Sequence, residues 1–159
     1  MSHGFVDQML EKTKSGELRS PVSSTLGMNL VAFGRGAATY EMDARAELGN
    51  PLGVIQGGVV TALADAAMAA ATTSVLENEE IQKSAITTVD ICARFMRPVN
   101  AKKVDTLRAE ARVVRAGGRL AWAEADVLAD GEVVGKFTST GIRVTFDPAS
   151  YLGGQSTKS

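Results

Sequence analysis

Between Gly57 and Leu76 the chain has no proline and abundant alanine, and apart from scattered threonines its residues are strong helix formers. This reads as the one long helix. After the charged run from Glu77 to Lys83, most of the remaining sequence reads as strand. The chain must therefore lay a sheet against a single helix. The large apolar residues Val60, Leu63 and Val75 alternate with alanines, so the helix is narrow and can approach a sheet closely. Gly58, Thr61, Asp65, Met68 and Thr72 recur at intervals of three and four and share another face. In that stripe Asp65 is a carboxylate among small and apolar neighbours, where unpaired charges are rare. It is the candidate catalytic residue.

The rest of the chain supplies the sheet. Phe5, Val6, Met9 and Leu10 have helical spacing and Gly16 suits a helix end, so residues 1–24 read as a lead-in helix and loop. From Thr25 to Glu41 an extended pattern flanks Gly34-Arg35-Gly36, which predicts a hairpin with strands near 25–32 and 37–43. Four further strands are predicted at 85–97, 103–116, 119–130 and 133–146. The turn signals Arg97-Pro98-Val99-Asn100, Ala116-Gly117-Gly118 and Asp130-Gly131 separate them. Short connections predict antiparallel neighbours. In the third of these strands Ala121, Ala123, Ala125, Val127 and Ala129 share one face, small enough for the alanine-rich helix to nest on. The tail at 147–159 has little to bury and is expected to be disordered. The class is α+β, with one domain over 25–146 and a strongly curved antiparallel sheet of about six strands. Its open edges predict pairing with at least one second copy.

Composition narrows the chemistry. A chain of 159 residues suits one domain, and 17 basic against 18 acidic residues give no surface suited to nucleic acid. Cys92 is the only cysteine, which excludes an intramolecular disulfide and a cysteine metal cluster. No basic segment joined to an apolar run marks a leader, and Asp65 interrupts the long helix, so a soluble cytoplasmic protein without a membrane span is expected. The one histidine, His3, lies near the start of the chain. A Ser-His-Asp or Cys-His relay needs a positioned imidazole, and a zinc hydrolase site needs several ordered ligands. Any hydrolysis therefore falls to a carboxylate and backbone amides, with no metal or cofactor expected.

The order of elements, together with Asn50-Pro51-Leu52-Gly53-Val54-Ile55-Gln56-Gly57-Gly58 and Leu63-Ala64-Asp65, resembles the hotdog-fold acyl-CoA thioesterases, in particular the PaaI-like group of phenylacetate degradation. Thr88-Val89-Asp90-Ile91-Cys92-Ala93-Arg94-Phe95-Met96-Arg97-Pro98 and Gly118-Arg119-Leu120-Ala121 extend the likeness, which covers roughly 25–146. The resemblance implies a homodimer or a dimer-of-dimers tetramer with an acyl-CoA substrate and active sites at subunit interfaces. It implies Asp65 as catalytic carboxylate, acting on water or directly on the thioester carbonyl, and the Gly57 N–H as donor to the carbonyl oxygen. Asn50 would position the water or carboxylate, and Thr88 would place a hydroxyl beside the site. Many PaaI-like members have His-Gly-Gly where this chain has Gln56-Gly57-Gly58; glutamine stands there in related hydroxybenzoyl-CoA-type thioesterases.

Physical chemistry agrees with these roles. A helix N-terminus presents unpaired N–H groups and partial positive charge, suited to the oxyanion of an attacked thioester. Gln56 can polarise a carbonyl by hydrogen bonding but cannot shuttle protons. Gly58, Thr61 and Met68 share the Asp65 stripe and are candidate substrate contacts. Among the basic residues Arg119 is the first candidate for the CoA phosphates. Plainer readings stand beside these: Gly57-Gly58 as punctuation, Asn50 as a turn residue, Thr87 in place of Thr88, Cys92 and Trp122 as packing. The alternative function is a non-catalytic acyl-CoA-binding module of the same fold. Hydratase chemistry of this fold relies on an Asp/His pair, which the sequence does not offer.

Overall fold

The computed structural model describes residues 11, 12, 15, 19–76 and 84–145. The expected lead-in helix, apart from Glu11 and Lys12, the charged run 77–83 and the tail from 147 lie outside these residues.

The first described element corrects the sequence reading. Where strand was expected from 25, residues Pro21–Leu26 form a helix, α1. Ser20 caps it, its Oγ accepting from the Ser23 N–H at 3.2 Å, Pro21 takes the first turn, and Gly27 ends it in the left-handed region at φ 76°. The hairpin therefore starts later, with β1 at Asn29–Gly34 and β2 at Ala37–Asp43. A 3-10 turn at Ala46–Leu48 leads to the long helix α2, Gly57–Thr73. It stops short of the expected Leu76, with Ser74 as its C-cap. Ser74 Oγ donates to the Ala71 carbonyl at 2.7 Å and accepts from the Gly36 N–H at 2.7 Å, tying the helix end to the hairpin turn.

The remaining strands, β3 (Ser84–Phe95), β4 (Thr106–Ala116), β5 (Leu120–Ala129) and β6 (Glu132–Thr145), start and end within three residues of expectation. All six form one antiparallel sheet in the order β1-β2-β4-β5-β6-β3, and register shifts at four places help to curve it around α2. This is the hotdog fold. One expectation fails: β3 and β4 are not neighbours, for β3 pairs with β6 and β4 inserts between β2 and β5. The reason is that Arg97-Pro98-Val99-Asn100 belongs to a longer crossing over 96–105. That crossing runs beside the segment before α2, where the Ile55 N–H donates to the Val99 carbonyl at 2.8 Å.

α2 buries Val60, Leu63, Ala64, Ala67, Met68, Ala71 and Thr72. Against it lie the small face of β5, buried from Ala121 to Ala129 at every second residue, and Leu107, Ala109 and Ala111 of β4. Alanine faces on both sides let helix and sheet close together, and Leu63, Met68, Leu107 and Phe137 fill the space left between them. Each such large side chain contributes roughly 1.5–3 kcal/mol by burial. The outer face carries ion pairs, Arg108 with Glu41 at 2.6 Å, Lys136 with Asp126 at 2.8 Å, and Arg112 with Glu124.

Candidate active site

The helix start is assembled by backbone and by one amide. Asn50 Oδ1 accepts from the N–H groups of Leu52 at 2.9 Å and Val54 at 3.3 Å, a local turn that closes the loop. The Gln56 N–H donates to the Leu48 carbonyl at 2.9 Å, which aims the chain into α2. The Gln56 carbonyl takes the first helical bonds, from Val59 and Val60, while its side chain is exposed and caps nothing. The N–H groups of Gly57 and Gly58 have no partner among the described residues. Two donors thus stand free at the positive end of a seventeen-residue helix. Gly57 opens onto a cleft of about 330 Å³ walled by Asn50, Val60, Phe95, Met96, Val99 and Val134. The Phe95 ring lies directly over Gly57: a Cβ there would come within 3.2 Å of Phe95 Cζ. Phe95 in turn meets Phe137 edge-on, with ring centroids 5.8 Å apart.

Asp65 lies elsewhere. It follows Gly57 by eight residues, which at 1.5 Å per residue separates them by roughly 12 Å along α2 and by about 80° around it. Its Oδ1 accepts from the Thr88 hydroxyl at 2.8 Å, and Oδ2 has no partner among the described residues. A β-bulge aims Thr88. Thr88 pairs with Gly141 and Asp90 with Thr140, so Val89 is an extra residue. Before it Ile86 and Thr88 turn toward α2, and after it Ile91 and Ala93 do. Asp65 lines a second cleft of about 410 Å³, between α1, the β1–β2 hairpin and α2, with Met28, Leu30, Phe33 and Tyr40 on its other walls. Burial pushes the Tyr40 phenol above its ordinary value of 10.0. The Tyr40 hydroxyl has no partner among the described residues. No fully buried side-chain polar atom among them lacks a partner, so this hydroxyl is not fully buried, and Tyr40 is among the residues that line the cleft.

The other sequence candidates are distributed as follows. Thr61 is half-buried and donates to the Gly57 carbonyl at 2.9 Å, a bond within the helix. Gly58 is exposed, and Met68 is wholly enclosed in the core. Arg119 stands exposed after the β4–β5 turn, in a third cleft with Arg35 and Arg143. The structure brings Asp65 and Thr88 together and sets Gly57 and Asn50 around a different cleft, away from Arg119. Phe95 and Tyr40 carried no signal in the sequence, for an aromatic in a strand ordinarily reads as packing.

Comparison with known proteins agrees with this architecture. A family model described as the thioesterase superfamily matches residues 52–136. The chain belongs to the thioesterase superfamily. The match spans α2 with Gly57 and Asp65, and Thr88, Phe95 and Arg119 also fall inside it. No curated protein matches by sequence. Among solved structures, a mutant of the phenylacetic acid degradation protein PaaI from Thermus thermophilus is 26% identical at a TM-score of 0.69, covering 79% of this chain and 100% of its own. A thioesterase-like, phenylacetic acid degradation-related protein from Ralstonia eutropha JMP134 is 28% identical at 0.72, covering 84% and 98%. A thioesterase family protein from Silicibacter pomeroyi is 25% identical at 0.73, covering 86% and 98%. This member of the superfamily is a thioester hydrolase of PaaI-like structure. No helix among the described residues is long and apolar enough to cross a membrane.

Proposed function

We propose that the chain hydrolyses the thioester of an acyl-CoA to free acid and CoA, at a site completed by two copies of the chain. The observation that carries this reading is the separation of the two reactive ends of α2. Gly57 offers free N–H donors in one cleft, and Asp65 offers a free carboxylate oxygen roughly 12 Å away in another. A thioester carbonyl must be within about 3 Å of both its oxyanion donor and its base or nucleophile. One copy therefore supplies the amide of Gly57, and the other supplies Asp65 with Thr88. The exposed edge strand β3, which carries Thr88 and ends at Phe95 beside the Gly57 cleft, is the element along which two copies pair.

In this site the Gly57 N–H and the helix dipole hold the negative charge that forms on the carbonyl oxygen. Gln56, exposed at the same helix end, polarises that oxygen without titrating. Thr88 fixes one oxygen of Asp65, leaving the other to take a proton from water or to attack the carbonyl carbon itself. Asn50 holds the loop that presents Gly57, and Arg119, exposed in a separate cleft with Arg35 and Arg143, is the first candidate for the CoA phosphates. One oxyanion donor contributes on the order of 10²–10³ in rate and a positioned base roughly 10²–10⁴, enough to hydrolyse an activated ester.

Asp65→Asn tests this. It should abolish CoA release, leaving the fold and the binding of acyl-CoA in place. A variant that still turns over sinks the reading, and a wild-type chain that binds several acyl-CoAs without releasing CoA is a binding module instead.

A further inference from the structure

We infer that the cleft between α1, the β1–β2 hairpin and α2 receives the acyl group, and that it selects a linear chain of medium length over short ones. The inference rests on the hydrolytic reading of Asp65 above. Asp65 lines this cleft and keeps one carboxylate oxygen without a partner among the described residues, so the carbonyl that it serves lies at that wall too. From there the cleft follows α2 to Thr73, eight residues and roughly 12 Å further on. Ala66, Ala69 and Ala70 make the floor, and no side chain longer than alanine obstructs it before Thr73. The facing wall of Met28, Leu30 and Phe33 is apolar. At about 410 Å³ the space has the size of a small-ligand site.

Charge narrows the occupant. Among the described residues Asp65 is the only charged side chain lining the cleft and no cation lines it, so of the two ends of the substrate the apolar one suits this lining. Ser20, Ser23, Tyr40 and Thr73 carry the neutral hydroxyls of the described lining, and the rest of it, Asp65 aside, is apolar. A space that extends along a helix suits a linear chain, and an acetyl or propionyl group would leave most of it empty. The outer wall comes from α1 and the hairpin, which precede the superfamily match at 52–136.

The test compares CoA release from butyryl-CoA and octanoyl-CoA by the full chain, by Ala69→Leu and by Val22→Asp. Ala69 lies outside the core cluster, so leucine projects into the cleft, and Val22 is an exposed residue of α1 whose replacement puts a charge on the wall. Each buried methylene is worth about fourfold, so octanoyl should exceed butyryl in kcat/KM by on the order of a hundredfold. Both substitutions should cut that ratio by roughly tenfold or more, whatever happens to absolute rates. A flat ratio in the parent chain, or a ratio that neither substitution moves, overturns the assignment. So does an Ala69→Leu chain whose oligomeric state changes while the ratio stays, because the cleft would then seat a second copy. Calorimetric binding of the non-hydrolysable S-butyl and S-octyl thioethers of CoA separates the two readings. If neither thioester is hydrolysed, tighter S-octyl binding that both variants lose upholds the cleft while hydrolysis fails; equal affinities overturn the cleft as well.

Discussion

Replacing Gly57 by alanine should raise stability and lower activity at once. The added Cβ lies over the Phe95 ring, 3.2 Å from Cζ and 3.5 and 3.6 Å from the two Cε atoms. Carbon atoms pack best at about 3.5–4.0 Å, so the ring must shift by only a few tenths of an ångström. Phe95 is 54% exposed, and its neighbour Phe137 is buried, so the ring swings outward into the cleft. The fold absorbs the change. Alanine in place of glycine then favours α2 by roughly 0.5–1 kcal/mol, a rise in Tm of about 1–4 °C for a domain of this size. The methyl group and the displaced ring stand in front of the Gly57 amide. If that amide holds the oxyanion, kcat/KM should fall on the order of ten- to a hundredfold, less than outright removal of a donor would cost. Steady-state CoA release and thermal unfolding on the same preparations read both signs, and Phe95→Ala added to Gly57→Ala should return much of the activity. Unchanged kcat/KM would show that substrate does not approach this amide. A lowered Tm would show that Phe95 cannot yield.

Thr88→Val keeps shape and removes the donor to Asp65; the loss of a hydrogen bond to a charged group should lower kcat by roughly tenfold or more with KM little moved, and an unaltered kcat would leave Thr88 without a role. Tyr40→Phe should flatten the alkaline limb of stability. A phenol raised by burial favours its neutral form in the fold, so its contribution is complete below about pH 10 and is lost as pH rises through the folded value. Unfolding profiles between about pH 9 and 11 that superimpose for both chains would refute this. Gly141→Ala should cost about 1–3 kcal/mol, because its Cβ would overlap Cγ2 of Ile86, and Ile86→Ala in the same chain should recover part of the lost Tm.

The parts of the fold that were legible in the sequence are those fixed by local periodicity. The small face of β5 and the helical run from Gly57 carry their pattern in consecutive residues, and they fold as that pattern requires. Ser20, Pro21 and Gly27 mark α1 just as plainly, but α1 is six residues long, too short for periodicity to outweigh the extended look of the residues after Ser24. The partner of β3 was not legible, because a turn signal encodes a reversal and not the strand beside which the chain lands. Within the site, Asp65 stands out by its type among alanines, whereas its pairing with Thr88 depends on where β3 is laid. The stripe of Gly58, Thr61, Asp65, Met68 and Thr72 shows the limit of helical arithmetic. Its members share a face as predicted, yet the sheet curves around α2, so the face runs from solvent at Gly58 into the core at Met68 and Thr72.

A strand that alternates without interruption has a single phase, dictated along its whole length by the core. The bulge at Val89 gives β3 two. Upstream, even-numbered positions look at the helix, and Thr88 is the last of them; downstream, Ile91 and Ala93 hold the packing in the opposite parity. The aim of the Thr88 hydroxyl is therefore uncoupled from the core requirements of the rest of the strand. Residues 86–88 can vary to suit a different acyl thioester without displacing Ile91 or Ala93, and a one-residue deletion at Val89 would force the two halves back into one phase that only one of them can satisfy.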